Sequence, residues 1–135
     1  MSANHVATRN PSALSRGRLA TVALWITQVL LAAMFLLAGG SKLGGAPAMV
    51  SLFGALGVGQ WFRYVTGAIE VSAAVALLIP SAALFGAMLL IPTMAGATVA
   101  QLYLGQSPAP PLVLLLVALA IAWARRGQLR GLFFR

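Results

Sequence analysis

The chain has 135 residues, enough for one domain, and 61% of them are hydrophobic while only 7% are charged. With a mean hydropathy of +0.96, that excludes an ordinary soluble domain and marks an integral membrane protein. Nine Lys and Arg against one acid give a formal charge of +8, but most of the Arg cluster in two tails that flank apolar segments, so the charge signals topology and anionic lipid contact rather than nucleic acid. No cysteine is present, which excludes a disulfide, a thiolate metal site or a redox dithiol within the chain.

Residues 1–18 (MSANHVATRNPSALSRGR) are polar, free of acid and rich in Ser, Asn and Arg, with Pro11 and Gly17 discouraging a helix. A disordered basic cytoplasmic tail is expected there. The tail matches a transit peptide in composition only, because the apolar stretch behind it is too long for a signal-peptide core. His5, the one histidine, lies in this tail. A single His does not make a metal or haem site, which needs several fixed ligands.

Residues 19–38 (LATVALWITQVLLAAMFLLA) form an unbroken apolar run of the length that spans a hydrocarbon core, and a helix is expected over about 19–42. At helical period Gln28, Leu31, Phe35, Ala38, Gly39 and Lys42 share one face, which should point into a bundle. The connection 39–60 has Gly and Pro at both ends and a short apolar piece, MVSLFGAL, that is too short to cross. An interfacial or re-entrant helix is expected there, followed by an aromatic belt at Trp61, Phe62 and Tyr64.

A second spanning helix is expected over about 61–80. Thr66, Gly67, Ala73 and Ala74 surround Glu70, and Val65, Val75 and Ile79 lie opposite. Small residues allow close helix contact while branched ones suit lipid, so Glu70 should face the interior. Pro80 and Ser81 make a tight hairpin into a third helix over about 81–104, which Pro92 should kink. Thr93, Thr98 and Gln101 share one side of its second half and are expected to supply interhelical hydrogen bonds. After the turn GQSPAPP a fourth helix is expected over about 109–125, and the basic, apolar segment 127–135 (GQLRGLFFR) should lie on the membrane surface.

Seven basic residues, Arg9, Arg16, Arg18, Arg125, Arg126, Arg130 and Arg135, fall in the tails, and only Lys42 and Arg63 fall on the other side. Excess positive charge marks the cytoplasmic side. The fold expected is therefore an all-α, four-helix transmembrane bundle over 19–126 with both termini cytoplasmic, and no repeat or second domain is visible.

Glu70 is the only carboxylate in the chain. A charged Glu facing lipid near the bilayer centre costs at least about 2.5–3.5 kcal/mol, so it must be protonated or partnered. Lys42 is the better partner: helix 1 rises as helix 2 descends, and side chains lean toward their own helix N-terminus, so Lys42 and Glu70 lean toward each other. Arg63 lies two turns away, roughly 10 Å along the axis, and leans away. The pair acts either as a working polar site or as a structural lock between helices. Lys42, Glu70, Arg63, Gln28, Gln101 and Thr98 are the candidate intramembrane pocket. Gly40 and Gly44, at GxxxG spacing, are read as loop geometry.

The apolar helix ending Ala38-Gly39-Gly40-Ser41-Lys42-Leu43, the loop with Phe53 and Leu56-Gly57, and Gly67-Ala68-Ile69-Glu70 leading to Leu77-Leu78-Ile79-Pro80 resemble the DoxX-like family of small four-helix membrane proteins over about residues 20–125. The resemblance implies a prokaryotic plasma membrane protein related to the small subunit of a thiosulfate and quinone redox complex, with Lys42 and Glu70 at positions that recur. An accessory redox subunit follows as the first functional expectation: no enzyme alone, no cofactor within the chain, a quinone as the small molecule, and a membrane or peripheral redox protein as partner. Other partners expected are the lipid bilayer and a second copy through the small-residue faces, but not nucleic acid. A small proton-coupled transporter and a ligand-free scaffold are the alternatives. Small multidrug exporters carry their acid in the first helix, however, and Lys42 here competes with a cationic substrate.

Overall fold

The computed structural model describes residues 11–127, with side chains from residue 15. The elements among them are five helices: α1 (Pro11–Leu43), α2 (Pro47–Leu56), α3 (Gln60–Leu78), α4 (Ala83–Tyr103) and α5 (Ala109–Ala124). There is no strand among the described residues. The all-α expectation holds. Segments 1–10 and 128–135, with His5 and most of the basic C-terminal segment, lie outside the described residues.

Helix α1 begins at Pro11 rather than near residue 19, so residues 11–18 are helical where a disordered tail was expected. Proline breaks a helix only from its interior. In the first turn its missing N–H has no intrahelical partner to lose and its fixed φ suits the helix, and a lone Gly17 is a modest penalty beside a long apolar run.

Helices α1, α3 and α4 are long and apolar enough to cross a membrane. Helix α5, with 16 residues, rises about 24 Å, short of a full hydrocarbon core. Helix α2 has 10 residues and is far too short. Left-handed glycines bound it, Gly45 (φ 71°) before and Gly57 (φ 73°) after, and the latter caps α2 by donating its N–H to the Gly54 carbonyl. Phe53 of α2 stands 6.0 Å from the Phe62 ring of α3 and holds the short helix against the bundle.

Helix α3 packs between α1 and α4, and α5 packs mainly on α4. The core is Leu31, Ala32 and Phe35 of α1, Ala73, Ala74 and Leu77 of α3, Ala87, Leu90 and Met94 of α4, and Ala118 and Ile121 of α5. Alanine and glycine let backbones approach where lipid supplies no hydrophobic drive between helices. A Cβ at position 39 would meet the Gly67 carbonyl at 2.8 Å, and one at position 86 would meet the Ala73 carbonyl at 2.7 Å. The predicted inward face of α1 is realised, since Gln28, Leu31, Phe35 and Gly39 are buried. Val65 and Val75 of α3, and Ile79 directly after it, are exposed, as a lipid-facing side requires.

Candidate functional site: two buried polar clusters

At one end of the bundle, Lys42 Nζ donates to Glu70 Oε2 at 2.9 Å. The Glu70 side chain is 4% exposed and that of Lys42 is 14% exposed, so the pair is enclosed on the carboxylate side and opens slightly at the ammonium. Its position follows from the Gly39–Gly67 contact, which draws α1 and α3 together one turn below Lys42. Arg63, also buried, does not bond Glu70. Its Nη1 donates to the Lys42 backbone carbonyl and its Nε to Gln60 Oε1 at 2.8 Å. Gln60 in turn donates from Nε2 to the Val50 carbonyl at 3.0 Å. A chain of hydrogen bonds thus runs from α2 through Gln60 and Arg63 to the end of α1, and it fixes the backbone that carries Lys42.

Gln28 lies elsewhere. It sits fourteen residues before Lys42 on α1, about 21 Å along the axis. Its Nε2 donates to the Leu77 carbonyl at 2.8 Å, and its Oε1 accepts from Arg125 Nε at 2.9 Å. The Arg125 guanidinium lies 5.1 Å from the Trp25 ring centre, within cation–π range.

Thr98 and Gln101 belong to neither cluster, which corrects the expected pocket. Thr98 Oγ1 donates to the Met94 carbonyl at 2.8 Å and Thr93 Oγ1 to the Leu89 carbonyl at 2.7 Å, each within α4. A hydroxyl has a carbonyl four residues back within reach in any helix, so it is satisfied without a neighbour. Gln101 Nε2 reaches the Ser107 carbonyl in the α4–α5 turn at 3.4 Å.

The six predicted residues therefore divide: Lys42, Glu70 and Arg63 meet, Gln28 anchors a second cluster, and Thr98 and Gln101 serve their own helix and turn. Gln60, Trp25 and Arg125 were missed. Gln60 stands three residues before Arg63, a spacing that places side chains side by side on a helix and was available as a signal. Arg125 was counted as a topological charge, and its partner is 97 positions away.

The model of the DoxX-like family matches residues 26–124. This chain belongs to the DoxX-like family. The match takes in both clusters of this DoxX-like protein except Trp25 and Arg125, which border it on either side. No curated protein and no solved structure matches the chain. Family membership and the apolar helices place this DoxX-like protein in a lipid bilayer.

Proposed function

We propose that this is a multi-pass protein of a prokaryotic plasma membrane, with both ends of the chain on the cytoplasmic side, that serves as the accessory subunit of a quinone-linked redox system. The observation that carries the reading is the Lys42–Glu70 pair between two membrane helices, with its ammonium partly open. An ammonium has three donors, and among the described residues only Glu70 accepts from Nζ, so the donor set fits a quinone oxygen as a further acceptor. Arg63 and Gln60 hold the site rather than bind. The quinone supplies the electron-accepting chemistry, and the electrons come from a redox partner. A chain with no cysteine and one histidine has few ligands for iron or haem, which agrees with an accessory place.

The buried carboxylate also favours a second reading, in which the pair is a structural lock between α1 and α3 and binds nothing. Purification of the wild type, Lys42→Met, Glu70→Gln and the double variant in mild detergent separates the two, with quinone extracted and counted per protein. The redox reading expects bound quinone in the wild type, and its loss in the double variant, which keeps its thermal stability. A wild type that carries neither quinone nor a co-purifying redox protein sinks that reading. A double variant that recovers both its stability and its bound quinone or co-purifying partner identifies the lock.

A further inference from the structure

The Glu70 carboxylate is only half engaged. Its Oε2 accepts from Lys42 Nζ at 2.9 Å, while Oε1 accepts from no donor among the described residues. Oε1 is not sealed either, since Arg125 Nη2 is the one enclosed side-chain polar atom among them that lacks a partner. Lys42 is likewise short of acceptors: an ammonium carries three donors, and among the described residues only Glu70 takes one up. The pair therefore presents a free acceptor beside free donors where the site opens, with 14% of the Lys42 side chain and 4% of the Glu70 side chain exposed. A Cβ built on Gly67, one turn from Glu70, would lie 3.0 Å from Lys42 Cβ and 3.1 Å from Leu43 Cγ. Leu43 is exposed, so it gives the opening an apolar side next to the ammonium.

An ionised carboxylate accepts and an ammonium donates, so a ligand that satisfies both needs an oxygen that accepts and also carries a hydrogen to give. A quinone carbonyl meets half of this: it answers Lys42 and leaves Oε1 without a donor, which is costly away from water. A hydroxyl meets both demands, because Oε1 shares one carboxylate with Oε2, and Oε2 already lies against Nζ. We propose that Lys42 and Glu70 bind the hydroxyl of a membrane-soluble ligand, which donates its O–H to Glu70 Oε1 and accepts from Lys42 Nζ, and that the ligand is the hydroquinone form of the quinone. The hydroxyl chemistry follows from the pair, and the choice of hydroquinone rests on the redox reading above. The site thus holds the reduced form more tightly than the oxidised one. By linkage, a quinone bound here takes up two electrons from the redox partner and two protons from water more readily than one free in the bilayer.

The test is isothermal titration calorimetry of the full chain, purified in detergent and kept under nitrogen, with decylubiquinol held reduced by dithionite, decylubiquinone, the dimethyl ether of decylubiquinol, and decanol. Decylubiquinol should bind about tenfold or more tightly than decylubiquinone, as expected for one further hydrogen bond to a charged group. It should exceed its ether by a similar factor, because the ether keeps the reduced ring and has no hydrogen to donate. Lys42→Met combined with Glu70→Leu, which removes both charges together, should bind all forms alike. A preference that survives in that variant overturns the proposal. Should the variant fail to fold, the ether still decides on the wild type, and an ether that binds as tightly as the hydroquinone overturns it too. Equal binding of decylubiquinol and decylubiquinone overturns the proposal and leaves the redox reading standing. Binding of decanol with neither ubiquinone form upholds the hydroxyl site and removes the redox reading, and binding of no probe overturns both.

Discussion

Lys42 and Glu70 were legible as a pair because a lone carboxylate in hydrocarbon has few solutions, and only one basic residue leans toward it from an antiparallel neighbour. Removing one partner leaves the other charge buried and alone. Lys42→Met or Glu70→Leu should therefore lower unfolding stability in detergent by about 3 kcal/mol, and the double variant should return to within about 1 kcal/mol of the wild type. Chemical denaturation followed by circular dichroism reads both quantities, and additive losses would show that the two side chains do not interact. Gln28 links Leu77 to Arg125, so Gln28→Leu strips a carbonyl and a guanidinium of their partners at once. A loss of about 1–2 kcal/mol is expected in the same assay.

Among the elements, close approach at glycine decides which helices touch. Gly86 of α4 faces the Ala73 carbonyl and the Leu77 nitrogen of α3, at 2.7 and 2.9 Å from a would-be Cβ, and neither backbone atom can turn aside. Gly86→Ala and Gly39→Ala should each cost about 1–3 kcal/mol through overpacking. Gly96 of α4 has nothing within 4 Å, so Gly96→Ala should be neutral or stabilise by up to about 1 kcal/mol through helix propensity. A thermal shift of the same sign and size for all three would refute the packing account. Thr98→Val tests the reassigned hydroxyl. Because Thr98 bonds only within α4, its replacement should change stability by no more than about 0.5 kcal/mol, where an interhelical bond would cost more.

On the scale of the molecule, the Gln28–Arg125 bond brings the N-terminal half of α1 and the C-terminal end of α5 to the same end of the bundle, while α2 and the Lys42–Glu70 pair occupy the other. Arg16, Arg18, Arg125 and Arg126 are thus gathered at one end, the end that the proposed orientation puts in the cytoplasm. Because the chain has no cysteine, single substitutions label cleanly. A membrane-impermeant maleimide applied to intact cells should label Val58→Cys, in the turn after α2, and spare Arg126→Cys until the cells are opened. The reverse pattern would invert the orientation.

The sequence alone determined that this chain lives in a membrane, that its long elements are helices, that α3 and α4 form a hairpin and that Glu70 needs Lys42, because hydropathy, span length and the cost of a lone charge act locally or leave a single partner. It was also enough to place the chain in its family from spaced glycines and the two charged residues. Tertiary structure decided what polarity and helical period leave open: that Thr98 turns to its own backbone, that Arg63 holds Lys42 by its carbonyl rather than Glu70 by its charge, and that Gln28 meets Arg125. Each of these choices depends on which helices lie side by side and at what height. A side chain with several donors takes the acceptor that packing brings within 3 Å, and no pattern along one helix records the height of another.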